Sequence, residues 1–98
     1  MATLSTHVLD TASGRPTAGV AVSLEKDGAV IARGVTDADG RVSQLAGSLD
    51  PGRYRLVFDL GVSGFFRRVA LDVEIGLDSK YHVPLLVTPF GVTSYRGS

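Results

Sequence analysis

An all-β, antiparallel sandwich is the fold that this 98-residue sequence predicts. Three observations point to it. Turn-forming clusters recur along the chain, at "DTASGRPTAG", "KDG", "DADG", "DPG", "GVSG" and "TPFG". They cut it into short runs rich in Val, Leu and aromatics, at spacings of roughly 8–12 residues, as in sandwiches and barrels. Within several runs apolar and polar residues alternate, which is the period of a strand with one buried face. No window of about eleven residues keeps apolar positions at i, i+3, i+4 and i+7, as an amphipathic helix would.

Eight strands follow in order. The first, 4–9, runs into the Gly/Pro/Ser cluster at 10–19. The second, 19–26, alternates Val20, Val22 and Leu24 with Ala21, Ser23 and Glu25. Asp27-Gly28 turns the chain into the third, 29–35, and "DADG" leads into the fourth, 40–45. After Pro51-Gly52 the fifth, 53–58, alternates Tyr54, Leu56 and Phe58 with Arg53, Arg55 and Val57. The sixth, 66–75, sets Val69, Leu71, Val73 and Ile75 against Ala70, Asp72 and Glu74. The seventh, 80–88, and the eighth, 91–96, flank "TPFG". There is no linker, repeat or low-complexity segment, so residues 1–98 read as a single domain.

A chain of this size buries somewhat more than roughly 60% of the surface that its unfolded form exposes. That is a modest core, which assembly would extend. The run from Tyr81 to Tyr95 is also more apolar than a half-exposed edge strand needs, and this predicts a closed homo-oligomer. Ten Lys and Arg balance ten Asp and Glu, and Arg67-Arg68 is the only adjacent basic pair. No nucleic-acid or polybasic membrane partner is therefore expected. There is no Cys, "MATLSTHVLD" lacks a basic and an apolar leader region, and no apolar stretch approaches the roughly 20 residues of a membrane span. The C-terminal Arg-Gly-Ser is not a peroxisomal address. A cytoplasmic protein is the expectation.

Few residues can carry chemistry. Without Cys there is no thiol. His7 and His82 are the only imidazoles, no short-spaced zinc motif exists, and "DADG" lacks the rest of a calcium loop, so no metal is expected. Each His sits on a strand face expected to be largely apolar: His7 with Ser5 and Leu9, His82 with Leu86. Each could simply be a hydrogen-bonded structural group. A sandwich can also bring the first and seventh strands together, and a pair of imidazoles could then share base and acid roles in a hydrolysis. Arg41 reads either as a solvated strand-start cation or as a fixed charge for an anionic substrate and its oxyanion. Ser98 reads by itself as a frayed end.

Four segments resemble the transthyretin-like family in its hydrolase branch: "LSTHVLDTASGRP" (4–16), "TDADGR" (36–41), "PGRYRLVFD" (51–59) and "YHVPLLVTPFGVTSYRGS" (81–98). They cover nearly the whole chain in order, and the terminal Tyr-Arg-Gly-Ser is the most specific. The resemblance implies a sandwich of two four-stranded sheets, assembled as a homotetramer, a dimer of dimers. It implies hydrolysis of 5-hydroxyisourate in urate breakdown, with no cofactor. It assigns catalysis to His7, Arg41, His82 and Ser98, and substrate binding to Tyr95, Arg96 and Gly97. The alternative within the same fold is a carrier of small ligands without chemistry. Two positions depart from the family pattern, Val92 where a Tyr is usual and Lys80 where a His is usual. The family's short helix after "FD" has no room in "FDLGVSGFF", so a tight hairpin is expected there.

Overall fold

A computed structural model describes residues 1–62 and 64–97 of the chain. Nine strands form two sheets: β1 (Ala2–Asp10), β2 (Arg15–Pro16), β3 (Ala21–Lys26), β4 (Ala29–Val35), β5 (Arg41–Leu49), β6 (Gly52–Asp59), β7 (Arg68–Ile75), β8 (Lys80–Val87) and β9 (Val92–Ser94). All eight strands read from the sequence are present. The two-residue β2 was not foreseen, since nothing in "RP" alternates. One sheet runs β4-β3-β6-β7. The other has the four long or edge strands β5, β1, β8 and β9, with β2 added beside β1. β2 and β5 occupy successive stretches of the same edge of β1, because β8 takes the whole of the other edge.

The pairing is antiparallel in every case but one. β1 and β8 run parallel, from Thr3 opposite Lys80 to Asp10 opposite Val87. The sequence pattern alone implied antiparallel pairing throughout, because half-buried alternation is the habit of antiparallel sheets. A parallel pair needs a long crossover, and here everything from β2 to β7 serves as that crossover.

The core lies between the sheets. Leu4, Val8, Val22, Leu24, Leu56, Phe58 and Leu85 are buried there, together with Tyr54, Ile75, Tyr81 and Val83. Shortening any of the larger ones to Ala would cost about 2–5 kcal/mol. Among the described residues the buried polar side chains are satisfied. The Thr6 hydroxyl donates to the Val83 carbonyl at 2.8 Å, which ties β1 to β8. The Thr36 hydroxyl donates to the Thr17 carbonyl at 2.7 Å and accepts from the Val20 amide at 2.9 Å.

Two turns have specific chemistry. Asp27 and Gly28 both have positive φ, 52° and 81°, the geometry of a tight primed turn that matches strand twist. The second turn places Arg41. The Asp37 carboxylate accepts from the amides of Asp39 (2.9 Å) and Arg41 (3.0 Å). Gly40 then adopts φ 73°, and a side chain there would come within 2.5 Å of the Val8 carbonyl oxygen. Only glycine allows that approach, and the Gly40 carbonyl accepts the Val8 amide at 2.7 Å. The result pins the start of β5 against β1.

No helix occurs among the described residues, and β6 passes to β7 through residues 60–67. The Leu60 amide closes that loop on the Arg67 carbonyl at 2.7 Å, as a hairpin should. The Phe65 amide ties it to the Pro89 carbonyl at 2.8 Å, beside the turn into β9. The loop is longer than the five residues expected, because β7 begins at Arg68 rather than at the aromatic pair.

Candidate active site

The outward face of the β1–β8 sheet carries the candidate residues. Along β1 the buried side is Ala2, Leu4, Thr6 and Val8, which leaves Ser5 and His7 pointing the other way. Along β8 the buried side includes Tyr81, Val83 and Leu85, so His82 also points outward. This corrects the expectation that both imidazoles occupy largely apolar faces. Leu9 and Leu86 share their faces and made those faces look apolar, but the stronger series, Leu4 and Val8 against Val83 and Leu85, belongs to the core.

Register then assembles the group. The parallel pairing sets Ser5 opposite His82, and the antiparallel pairing of β1 with β5 sets His7 opposite Arg41. Residues from positions 5, 7, 41 and 82 thus share one outward face. The Ser5 Oγ and His82 Nδ1 lie 2.8 Å apart. The pKa of His82 is pushed below the ordinary imidazole value of 6.5. Partial burial is the largest cause, and the positive charge of Arg41 and the neighbouring His7 add to it. The shift favours the uncharged imidazole.

An open depression of about 510 Å³ lies over this face, and Arg41, Lys80, His82, Ser5, Arg96 and Gly97 are among its lining. Three of its side chains are cations, and no described residue lining it is acidic. Such a concentration of one sign favours an anionic ligand. His7 stands beside Arg41 at the margin, outside that lining.

The tail reaches the same place. The Gly97 amide donates to the His82 carbonyl at 2.7 Å, and Gly97 forms a bridge opposite His82 beyond the end of β9. A Cβ at position 97 would lie 2.8 Å from His82 Cδ2, closer than such atoms approach. The glycine thus lets the tail backbone pack against the imidazole. Arg96 turns its guanidinium to Asp78 (3.1 Å) and to the Lys80 carbonyl (3.3 Å), and stacks over the Tyr81 ring at 4.3 Å. Tyr95 is exposed and borders a different cleft, between β7 and β8. Ser98, assigned to catalysis from sequence, lies outside the described residues.

Two residues of this face were not assigned from sequence. Lys80 was noted only as a departure from the family pattern. Ser5 was noted only as a neighbour of His7. Nothing local marks Ser5, because its meaning comes from the parallel register with β8.

The family model described as HIUase/Transthyretin matches residues 4–97. The chain belongs to the HIUase/Transthyretin family. Among its relatives, a 5-hydroxyisourate hydrolase from Caulobacter vibrioides is 44% identical, with the whole of both chains covered. That alignment spans 115 positions against 98 residues here, so the relative carries positions that this chain lacks. The solved 5-hydroxyisourate hydrolase of Klebsiella pneumoniae superposes with a TM-score of 0.91 at 40% identity, covering all of both chains. Sea bream transthyretin in complex with thyroxine superposes with a TM-score of 0.83 at 28% identity, covering 96% of this chain and 93% of that one. These likenesses bear out the all-strand sandwich and its family, as read from the sequence.

Proposed function

We propose that this protein hydrolyses 5-hydroxyisourate to 2-oxo-4-hydroxy-4-carboxy-5-ureidoimidazoline, a step of urate breakdown. The observation that carries the reading is the union of His7, Arg41 and His82 on one outward face, with Arg41 and His82 bordering a cationic depression and His7 at its margin. Hydrolase relatives at 44% and 40% identity support it.

The chemistry needs three things. A water must lose a proton as its oxygen bonds to a ring carbonyl carbon. The oxyanion formed there needs a cation. The ring C–N bond then breaks, and the leaving nitrogen needs a proton. His82, held neutral, suits the first task, and its lowered pKa supports that role. Arg41 suits the second, as a fixed guanidinium that also attracts the anionic substrate. His7, next to Arg41, serves the return of the proton. Acid–base help of this kind contributes about 10²–10⁴ in rate, and an oxyanion donor about 10²–10³. Arg96 and Gly97 of the tail border the depression, with Gly97 against the His82 strand. No cofactor takes part.

Assembly as a homotetramer belongs to the same reading. Exposed Phe65, Phe66, Phe90 and Tyr95, and the free edges of β7 and β9, support it, since isolated chains rarely leave such surface uncovered. The Cys-free composition supports a cytoplasmic setting.

The test mixes the purified protein with freshly generated 5-hydroxyisourate and follows its ultraviolet decay. Decay well above the spontaneous rate is expected. A carrier is the second reading, favoured by the likeness to thyroxine-bound transthyretin. Saturable binding of an iodinated aromatic with no acceleration of decay would select the carrier instead.

A further inference from the structure

The site leaves one contact without a role. Ser5 Oγ stands 2.8 Å from His82 Nδ1, and the two residues are partners in the parallel register of β1 and β8. The backbone register therefore sets the two side chains side by side. The other edge of the same imidazole is also confined, since the Gly97 backbone packs against Cδ2 so closely that a methyl group would not fit. His82 Nε2 makes no hydrogen bond to any described residue, and the ring borders the depression. One nitrogen is thus engaged, and the other has no partner among the described residues.

We propose that Ser5 is the positioning residue of His82, and that its hydroxyl fixes the orientation and tautomer of the imidazole. The activity part of this inference rests on the hydrolase reading above; the tautomer part does not. A histidine that exchanges protons is commonly oriented by a group on its second nitrogen. A carboxylate in that position would raise its basicity and hold a negative charge beside the substrate. The groups around His82 are Arg41 from β5, His7 from β1, Lys80 from β8 itself and Arg96 from the tail, and no acidic side chain lines the depression among the described residues. A neutral hydroxyl keeps the site cationic. It also has both a donor and acceptor lone pairs. With neutral His82 carrying its proton on Nδ1, Ser5 accepts that N–H and Nε2 is a free base. When Nε2 takes a proton from water, the Nδ1–H bond to Ser5 Oγ persists and the ring does not turn. The base thus recovers its starting geometry once the proton is passed on.

The experiment uses the full chain with Ser5→Ala and Ser5→Thr. Nitrogen-15 correlation spectra of the imidazoles report the tautomer directly. In the wild type His82 is expected to be a single tautomer protonated on Nδ1, and in Ser5→Ala a mixture. Turnover in Ser5→Ala should fall about ten- to a hundredfold in kcat with KM little changed, the size of loss seen when a reacting group is loosely held. Ser5→Thr retains the hydroxyl and should restore both the spectrum and most of kcat. Wild-type spectra and wild-type kcat in Ser5→Ala would overturn the proposal. So would a rise in KM with the tautomer unchanged, which would make Ser5 a substrate contact. A wild type that does not turn over 5-hydroxyisourate would defeat the hydrolase reading, while the spectra alone would still decide the role of Ser5.

Discussion

The two outward faces of the sandwich share one core but treat charge in opposite ways. On the β4-β3-β6-β7 sheet, charges meet their opposites across strands. Arg55 reaches Asp72 at 2.9 Å, Arg53 lies 3.7 Å from Glu74, and Asp59 stands opposite Arg68 in the register. The β1–β8 face is different. Arg41, Lys80 and His82 border a depression that no described acidic side chain lines, with His7 at its margin beside Arg41. A face built only to be soluble would pair such charges, as its counterpart does. Among the described residues neither Arg41 nor Lys80 has an acidic partner, and the pKa of His82 is lowered first by burial and then by the charge of Arg41. The difference supports placing the proposed chemistry on the β1–β8 face.

The sharpest way to break this comparison is to neutralise each face in turn. His7→Asn, Arg41→Gln and His82→Asn should each fold normally, since all three side chains point away from the core. Each should lose at least about 10²-fold in turnover of 5-hydroxyisourate. Steady-state decay assays beside melting curves check this. Wild-type turnover in any one variant removes that residue from the site.

A smaller effect is expected from the tail. Gly97→Ala must move either the tail or the His82 ring, because the new Cβ would lie 2.8 Å from Cδ2. Turnover should fall by about tenfold or more, as a displacement near 1 Å can cost up to about 10²-fold. Melting should hardly change, because little apolar area is involved. Unaltered turnover would mean that the tail does not hold the imidazole.

The fold was legible because it is written locally. Val20, Val22, Leu24, Tyr54, Leu56 and Phe58 alternate cleanly, and all of them are buried where the pattern put them. Asp27-Gly28 and Asp37–Gly40 announce their turns by residue type. The partnership of His82 with Ser5 was not legible, since it joins residues 77 positions apart through the one parallel pairing. No local period reports which strand will lie alongside. The orientation of the imidazoles failed for a related reason. Leu9 and Leu86 lie at strand ends on the outward face, where end residues escape the core whatever their hydropathy. Arg41 could be named from its motif, but its position against His7 depends on how closely Gly40 lets the backbone approach Val8.

The pH profile sharpens the comparison further. His82 must be neutral to take a proton, and its pKa is lowered from 6.5. A lowered pKa keeps the neutral form dominant to more acidic pH. The acid limb of kcat/KM should therefore lie below pH 6.5, and Arg41→Gln should move the residual activity's limb upward by removing a nearby positive charge. A limb above 6.5 in the wild type would contradict the electrostatic account of this face.

The smallest expected effect lies on the other face, and it tests whether the faces are independent. Asp72→Asn removes the partner of Arg55, whose guanidinium holds the Asp72 carboxyl below the usual carboxylate range. Both side chains are more than half exposed, at 54% and 57%. Water and salt screen such a pair, and holding two long side chains together offsets much of the attraction. The variant should therefore show only a slight drop in melting temperature at low salt. That difference should shrink as ionic strength rises, because the Debye length falls from about 10 Å at 0.1 M to about 3 Å at 1 M. Turnover should match the wild type at every salt concentration, since Asp72 belongs to the other sheet and does not line the depression. A change in kcat or in the acid limb would show that charge on the paired face reaches the imidazoles, and the division of labour between the two sheets would then fail.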